Sequence, residues 1–115
     1  IRHPRQDGEL VATIDLKNEA ISTAGDYERY FEQDGVRYHH ILDPVSLEPA
    51  RTCQSVTVIA TEGTTADGLD TGIFVLGPER GMALVERLPD VEAVIIDDHG
   101  RMTVSSGLRS RLRYP

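Results

Sequence analysis

The chain has 115 residues, room for one domain at most, and a chain this long buries roughly two thirds of its unfolded surface, enough for a modest core. Hydrophobic residues make up 39% and charged residues 27%, ordinary for a globular protein, and no run of about 18 apolar residues is present to form a membrane-spanning helix. The net charge of −7 argues against a nucleic-acid partner held through phosphate neutralisation, and an anionic ligand would need help from a cation or a metal.

The start, Ile1-Arg2-His3-Pro4, has no apolar leader and no Met, so a processed or trimmed piece of a longer protein is expected. Residues Leu10–Leu16 alternate apolar with smaller or polar side chains and read as a strand. Ala20–Ala24 reads as a second short strand closed by Gly25-Asp26. Asp34-Gly35 separates two aromatic, β-prone runs, Tyr30–Glu32 and Val36–Ile41, which predicts a hairpin. Pro44 biases Asp43 away from helix, so the stretch from Asp43 to Pro49 is a loop.

Ser55–Ala60 is β-branched and apolar, as a central strand should be. Thr64-Thr65-Ala66-Asp67 predicts a hydroxyl-capped helix start with an acid in the first turn. Leu69, Ile73 and Leu76 keep helical spacing up to Gly77, and Pro78 opens a second helix with Met82, Val85 and Leu88 inward. Val91–Ile96 is a strand, Asp97-Asp98-His99-Gly100 a turn, and Arg101–Ser105 the returning strand. Strands joined largely by short turns, with two helices between, predict an α+β fold: an antiparallel sheet with both helices on one face.

Several residues bear chemistry. His39 and His40 point to opposite faces of a strand. They are either a hairpin pair without a role or include an imidazole acid/base near neutral pH. Asp43 either orients such a ring or caps its own turn. Asp67 and Thr71, spaced i and i+4, share a helix face and offer a hard oxygen pair suited to Mg²⁺. Equally, Asp67 satisfies the helix start and Thr71 bonds back to a carbonyl. Asp70 is a further oxygen donor about a quarter turn from Thr71. Cys53 is the only cysteine and reads as a structural thiol. Asp97-Asp98-His99 reads as a solvated hairpin tip, and the arginines of 109–113 as a solvated tail or an anion contact.

Taken in order, four segments resemble the ApbE family, the FAD:protein FMN transferases. Ile21–Phe31 resembles the family's SGDYERYF segment, and His40-Ile41-Leu42-Asp43-Pro44 its HIIDP motif. Ser55–Ala60 resembles its SVTVIA strand, and Ala66–Thr71 with Phe74–Gly77 its ADALST…FVLG helix. The resemblance implies a T-fold-like architecture and Mg²⁺-dependent cleavage of the FAD pyrophosphate. FMN is then attached through its phosphate to a Thr or Ser hydroxyl of an acceptor flavoprotein, and AMP is released. By the family pattern Asp67 and Thr71 ligate the metal, and His40 is the acid/base. Thr23, Gly25, Asp26, His40, Ile41 and Asp43 line the FAD pocket.

Two positions depart from that pattern. Leu47 stands where the family has a loop glycine, and Asp70 where serine is common. Full members are much longer, and their N-terminal half carries much of the flavin contact and a further metal ligand. The resemblance therefore implies the C-terminal part of such an enzyme, partnered by the missing half or a companion subunit and inactive alone. Two further classes stay open: a relative that hydrolyses FAD to FMN and AMP, and a non-catalytic interaction domain. Many members are exported and lipid-anchored, which implies a periplasmic or membrane-anchored setting, though a cytoplasmic member would match these residues equally.

Overall fold

Strand-forming residues dominate both ends of the chain and helix formers its middle. The computed structural model describes residues 1–27, 30–39, 41–48 and 50–115; Glu28, Arg29, His40 and Pro49 lie outside the described residues. Its elements run β1 (Ala20–Gly25), β2 (Tyr30–Gln33), β3 (Val36–His39), β4 (Cys53–Ala60), α1 (Gly63–Leu76), α2 (Pro78–Arg87), β5 (Glu92–Asp97) and β6 (Met102–Val104). β1, β4, β5 and β6 form one antiparallel sheet in the order β1-β4-β5-β6. Both helices cover one face, as the α+β reading expects, and β2 and β3 pair separately as a two-stranded hairpin.

β4 is buried on both faces, which explains its unbroken β-branched run. Strand alternation sends Val56, Val58 and Ala60 toward the helices, where they pack with Ala66, Ile73, Phe74, Val85, Ala93 and Ile95. Ile59 and Val94 face the other way, into a second cluster with Ala12, Leu108 and Leu112. Each fully buried Val, Leu, Ile or Phe among them contributes about 1.5–3 kcal/mol, so neither face is dispensable.

The second face corrects one expectation and refines another. Residues 10–16 form no strand: only two isolated bridges occur, Arg2 with Leu10 and Thr13 with Arg113. Their alternation instead serves to bury Ala12 beneath the chain's own ends. The arginine tail is solvated at Arg109 and Arg113, as expected, but Arg111 and Arg113 are also engaged by internal carboxylates. Arg111 grips Glu19 with two hydrogen bonds of 3.2 and 2.6 Å, and Arg113 grips Asp15 at 2.8 and 3.1 Å.

α1 begins earlier than expected, at Gly63 with Glu62 as N-cap. No side-chain cap bond is made and no acid lies in the first turn, so the threonine cap is not used. The buried stripe is Ala66, Asp70, Ile73 and Phe74, which leaves Leu69 partly buried at its border. Gly77, at φ 92°, breaks the helix, and Pro78 starts α2 in its first turn as predicted. Val85 is the buried centre of α2, with Met82 and Leu88 packed beside it. The predicted hairpin turn is present, with Asp34 and Gly35 both at positive φ, the mirror-image turn that matches strand twist.

In the loop after β3, Asp43 Oδ1 accepts the amides of Val45 (2.8 Å) and Ser46 (3.4 Å), and its carbonyl accepts Leu47 N at 2.8 Å. Asp43 thus caps its own turn, and the alternative of orienting His40 falls on a residue outside the described ones. Leu47 occupies φ 60° and is 73% exposed. The loop thus keeps the left-handed backbone that a glycine supplies freely, although leucine stands there.

Two predictions follow from these contacts. Relieving the left-handed leucine is worth about 1–2 kcal/mol, offset by about 0.5–1 kcal/mol of added chain entropy for glycine. Leu47→Gly should therefore raise stability by roughly 0.5–1 kcal/mol in urea titration; a loss of stability would refute the strain. The second concerns Glu19, whose carboxyl the Arg111 guanidinium holds below the ordinary 4.5. A carboxyl lowered in the folded state adds stability above its unfolded pKa and loses it as pH falls through the folded one. Glu19→Gln should cost less than about 1 kcal/mol at pH 7, because the pair is partly exposed. That difference from the wild type should close as the solution is acidified below 4.5, and a gap that persists in acid would show that the ion pair is not its source.

Candidate functional site

β1 is an edge strand whose alternate residues serve different neighbours. Thr23 pairs across to Thr57 on β4, and their hydroxyls lie 2.9 Å apart. Ser22 turns to α1, where its hydroxyl donates to Asp70 Oδ2 at 2.7 Å and lies 3.4 Å from Asp67 Oδ1. Thr71 Oγ1 donates to Asp70 Oδ1 at 3.1 Å. Ser22, Asp67, Asp70 and Thr71 therefore form one group of oxygen donors between the strand and the first turns of the helix. Asp70 is only 2% exposed, whereas Asp67 and Thr71 are exposed.

Among the described residues no cationic side chain pairs with Asp70. A buried carboxylate balanced only by hydroxyls is costly. The donor set, carboxylates and hydroxyls without thiolate or imidazole, suits a hard divalent cation. Among the described residues no group of three or more His, Cys, Asp or Glu side chains could hold a metal. The described carboxylates alone therefore make no full protein cage, and any cation here would take most of its ligands from water or a bound ligand.

At the other end of β1, Asp26 is buried and held by Arg5 through two bonds of 2.7 Å each. Arg37 approaches the same carboxylate at 3.7 Å and lies 3.8 Å over the Tyr30 ring. The hydrogen bond to Asp26 raises the Arg5 pKa further above its ordinary value. Gly25 lets the Tyr27 ring pack close beside it: a Cβ there would sit 2.3 Å from that ring, which would have to move. Arg5, Asp26, Arg37, His39 and Arg51 line a cleft of about 280 Å³.

His39 faces the packed side. Its Nδ1 accepts Ile41 N at 3.1 Å, so Nε2 carries the proton and donates to Ala50 O at 2.5 Å. The ring meets Phe74 edge-on at 5.5 Å. His39 is thus a structural histidine that fixes the strand exit to the helix layer. His40, the expected acid/base and pocket residue, lies outside the described residues. Ile41 is buried and its carbonyl accepts Ala50 N at 2.9 Å.

Cys53 is buried in the helix-side core, and burial pushes its thiol up to about 12, which leaves no thiolate for nucleophilic chemistry. The 97–100 tip is a self-capped turn: Asp97 Oδ1 accepts His99 N at 2.9 Å and Arg101 N at 2.8 Å.

Asp67 and Thr71 are joined only indirectly among the described residues: Ser22 reaches both Asp67 and Asp70, and Asp70 accepts from Thr71. Thr23, Asp26 and Asp43 share no hydrogen bond with that group. Asp70 was legible: it lies four residues from Ala66 and Phe74, on the buried stripe. Ser22 was not, since only strand register places it opposite α1.

No helix among the described residues is long and apolar enough to cross a membrane. Comparison with known proteins gives a consistent answer. A FAD:protein FMN transferase of Treponema pallidum (strain Nichols) is 44% identical over 115 residues, covering 98% of this chain and 32% of the relative. One from Vibrio cholerae serotype O1 is 48% identical over 93 residues, covering 78% of this chain and 28% of the relative. The crystal structure of the ApbE protein from Thermotoga maritima superposes with a TM-score of 0.86 at 43% identity, covering 96% of this chain and 36% of that one. The flavin transferase ApbE from Vibrio cholerae gives 0.68 at 42%, covering 81% and 30%. The chain spans about a third of the length of the curated relatives it matches. The ApbE family matches residues 1–95, and the chain belongs to that family.

Proposed function

We propose that this chain is the metal-side portion of a flavin transferase, residues 1–115 forming one T-fold-like domain that corresponds to the C-terminal part of an ApbE enzyme. The observation that carries the reading is the oxygen cluster of Ser22, Asp67, Asp70 and Thr71 between β1 and α1. It occurs in a chain 44% identical to a FAD:protein FMN transferase.

In the proposed reaction a Thr or Ser hydroxyl of an acceptor flavoprotein attacks the FMN-side phosphorus of FAD. A new phosphoester P–O bond forms, the pyrophosphate P–O bond breaks, and AMP leaves with the bridging oxygen. His40 takes the hydroxyl proton. Asp67 and Thr71 would hold Mg²⁺, which when bound supplies charge neutralisation for the pyrophosphate. Thr23, Gly25, Asp26, Ile41 and Asp43 would border the FAD, with the Arg5–Asp26 pair keeping the end of β1 rigid. An acidic chain needs such a cation to accept a substrate bearing two phosphates.

The test replaces the matching third of the Thermotoga maritima relative with this chain. Incubated with FAD, Mg²⁺ and an acceptor flavoprotein, the chimera should give a flavin-fluorescent acceptor band that survives denaturing electrophoresis, with one AMP per FMN transferred. Asp67→Ala should reduce the rate by at least about a hundredfold, the scale of losing one charge-stabilising contact. An undiminished rate would remove Asp67 from the metal site. FMN appearing free in solution, with no labelled acceptor, would replace transfer by hydrolysis.

A further inference from the structure

The two hydroxyls of the oxygen cluster each carry one proton and two lone pairs. Where those protons go decides which oxygens can face a cation. Thr71 Oγ1 gives its proton to Asp70 Oδ1 at 3.1 Å. Ser22 Oγ has two carboxylates in reach, Asp70 Oδ2 at 2.7 Å and Asp67 Oδ1 at 3.4 Å, and the shorter bond takes the proton. Asp70 therefore collects both hydroxyl protons, one on each carboxylate oxygen.

Resting on the metal-side reading above, we infer that Asp70 is a positioning residue for the divalent cation. It fixes the hydroxyl protons so that Thr71 and Asp67 keep their lone pairs for the metal. Thr71 has spent its only proton inward, so its remaining valence can only accept or ligate. Asp67 is relieved of the Ser22 donor and stays an open, exposed carboxylate. Asp70 itself is buried behind them, 2% exposed, in the place that outer partners of metal ligands occupy. The serine common here in the family offers a hydroxyl where this chain has two carboxylate oxygens. Both hydroxyl protons are thus drawn to a charged acceptor in this chain.

The arrangement carries a conflict that the test exploits. A buried carboxylate without a cationic partner costs stability when no metal is present, while the same charge helps when one is bound. Asp70→Asn should therefore move two properties in opposite directions. The amide has one acceptor oxygen and one donor NH₂, so it can take only one of the two hydroxyl protons.

The experiment titrates the chimera described above, which supplies the rest of the relative's chain, and its variants with Mn²⁺ alone. Free Mn²⁺ is followed by electron paramagnetic resonance, and each protein is melted with and without the ion. Asp70→Asn should bind Mn²⁺ about tenfold more weakly or worse. Its metal-free melting temperature should match or exceed the wild type, and it should gain less from added Mn²⁺. In a Thr71→Val background Asp70→Asn should lose much of its effect on affinity, because the two residues act as a unit. If Asp70→Asn does not fold, Asp70→Ser carries the same comparison. Asp67→Ala should abolish binding. If Asp67→Ala abolishes it and the Asp70 variants bind like the wild type, the inference falls and the metal-side reading stands. The same holds if Asp70→Asn costs equal affinity with and without the Thr71 hydroxyl. If the wild type takes up no Mn²⁺, or Asp67→Ala binds it unchanged, both fall together.

Discussion

β4 is buried on both faces, and that single demand organises the rest of the chain. One face receives Ala66, Ile73 and Phe74 of α1 and Val85 of α2. The other has no α-helix over it among the described residues and is closed by Ala12, by Leu108 of a short 3-10 turn (Ser106–Leu108) and by Leu112, from segments near the two ends of the chain. The ion pairs of Arg111 with Glu19 and Arg113 with Asp15 fasten this second cover. Because β1 pairs with β4 in register, the same alternation that fills the core also aims Ser22 at α1 and Thr23 at Thr57. The candidate site is thus a by-product of strand register at the border of the helix-side core, where burial is deep enough to isolate Asp70 and shallow enough to leave Asp67 and Thr71 in solvent.

Charge is distributed to the same end. Arg5 and Arg37 meet Asp26, and Arg111 and Arg113 meet Glu19 and Asp15. These arginines are engaged by internal carboxylates before any ligand arrives. The carboxylates of α1 are treated differently. Asp70 is met by hydroxyls, and Asp67 by the distant edge of Ser22. In a chain of net charge −7 this leaves the β1–α1 junction as a concentrated acceptor surface. Such a surface repels an anion unless a cation lies between them.

Much of this was legible in the residues. The Asp34-Gly35 hairpin, the central strand, Pro78 opening α2 and the i, i+4 spacing of Asp67 and Thr71 are local signals, and local signals survive folding. What was not legible depends on partners distant in sequence. Residues 10–16 have strand alternation, yet their neighbours are the chain's own ends, one residue pair at a time, so no ladder forms. The arginine tail looks unpaired until Asp15 and Glu19 are brought beside it. Asp70 was placed a quarter turn off the metal pair. That placement is correct for the helix and incomplete for the site, because Ser22 arrives from 48 residues away to join the two.

Leu47 and Asp70, the two departures from the family pattern, share a physical logic. Leu47 holds a left-handed backbone that its side chain disfavours, and Asp70 is a buried carboxylate with no cationic partner among the described residues. Neither improves the stability of the isolated fold, and each persists because its surroundings over-determine it. Around Leu47 the constraint is the set of bonds from Asp43 to Val45, Ser46 and Leu47. Around Asp70 it is the pair of hydroxyls that have nowhere better to donate. The two costs differ in what can repay them. Nothing that binds at the β1–α1 junction relieves the leucine backbone, so its cost is permanent and local. On the proposed metal-side reading a cation held at Asp67 and Thr71 would relieve the charge on Asp70, so its cost is conditional. A conditional cost of this kind makes an empty site less stable and a loaded one more so, which converts local destabilisation into affinity for the ion.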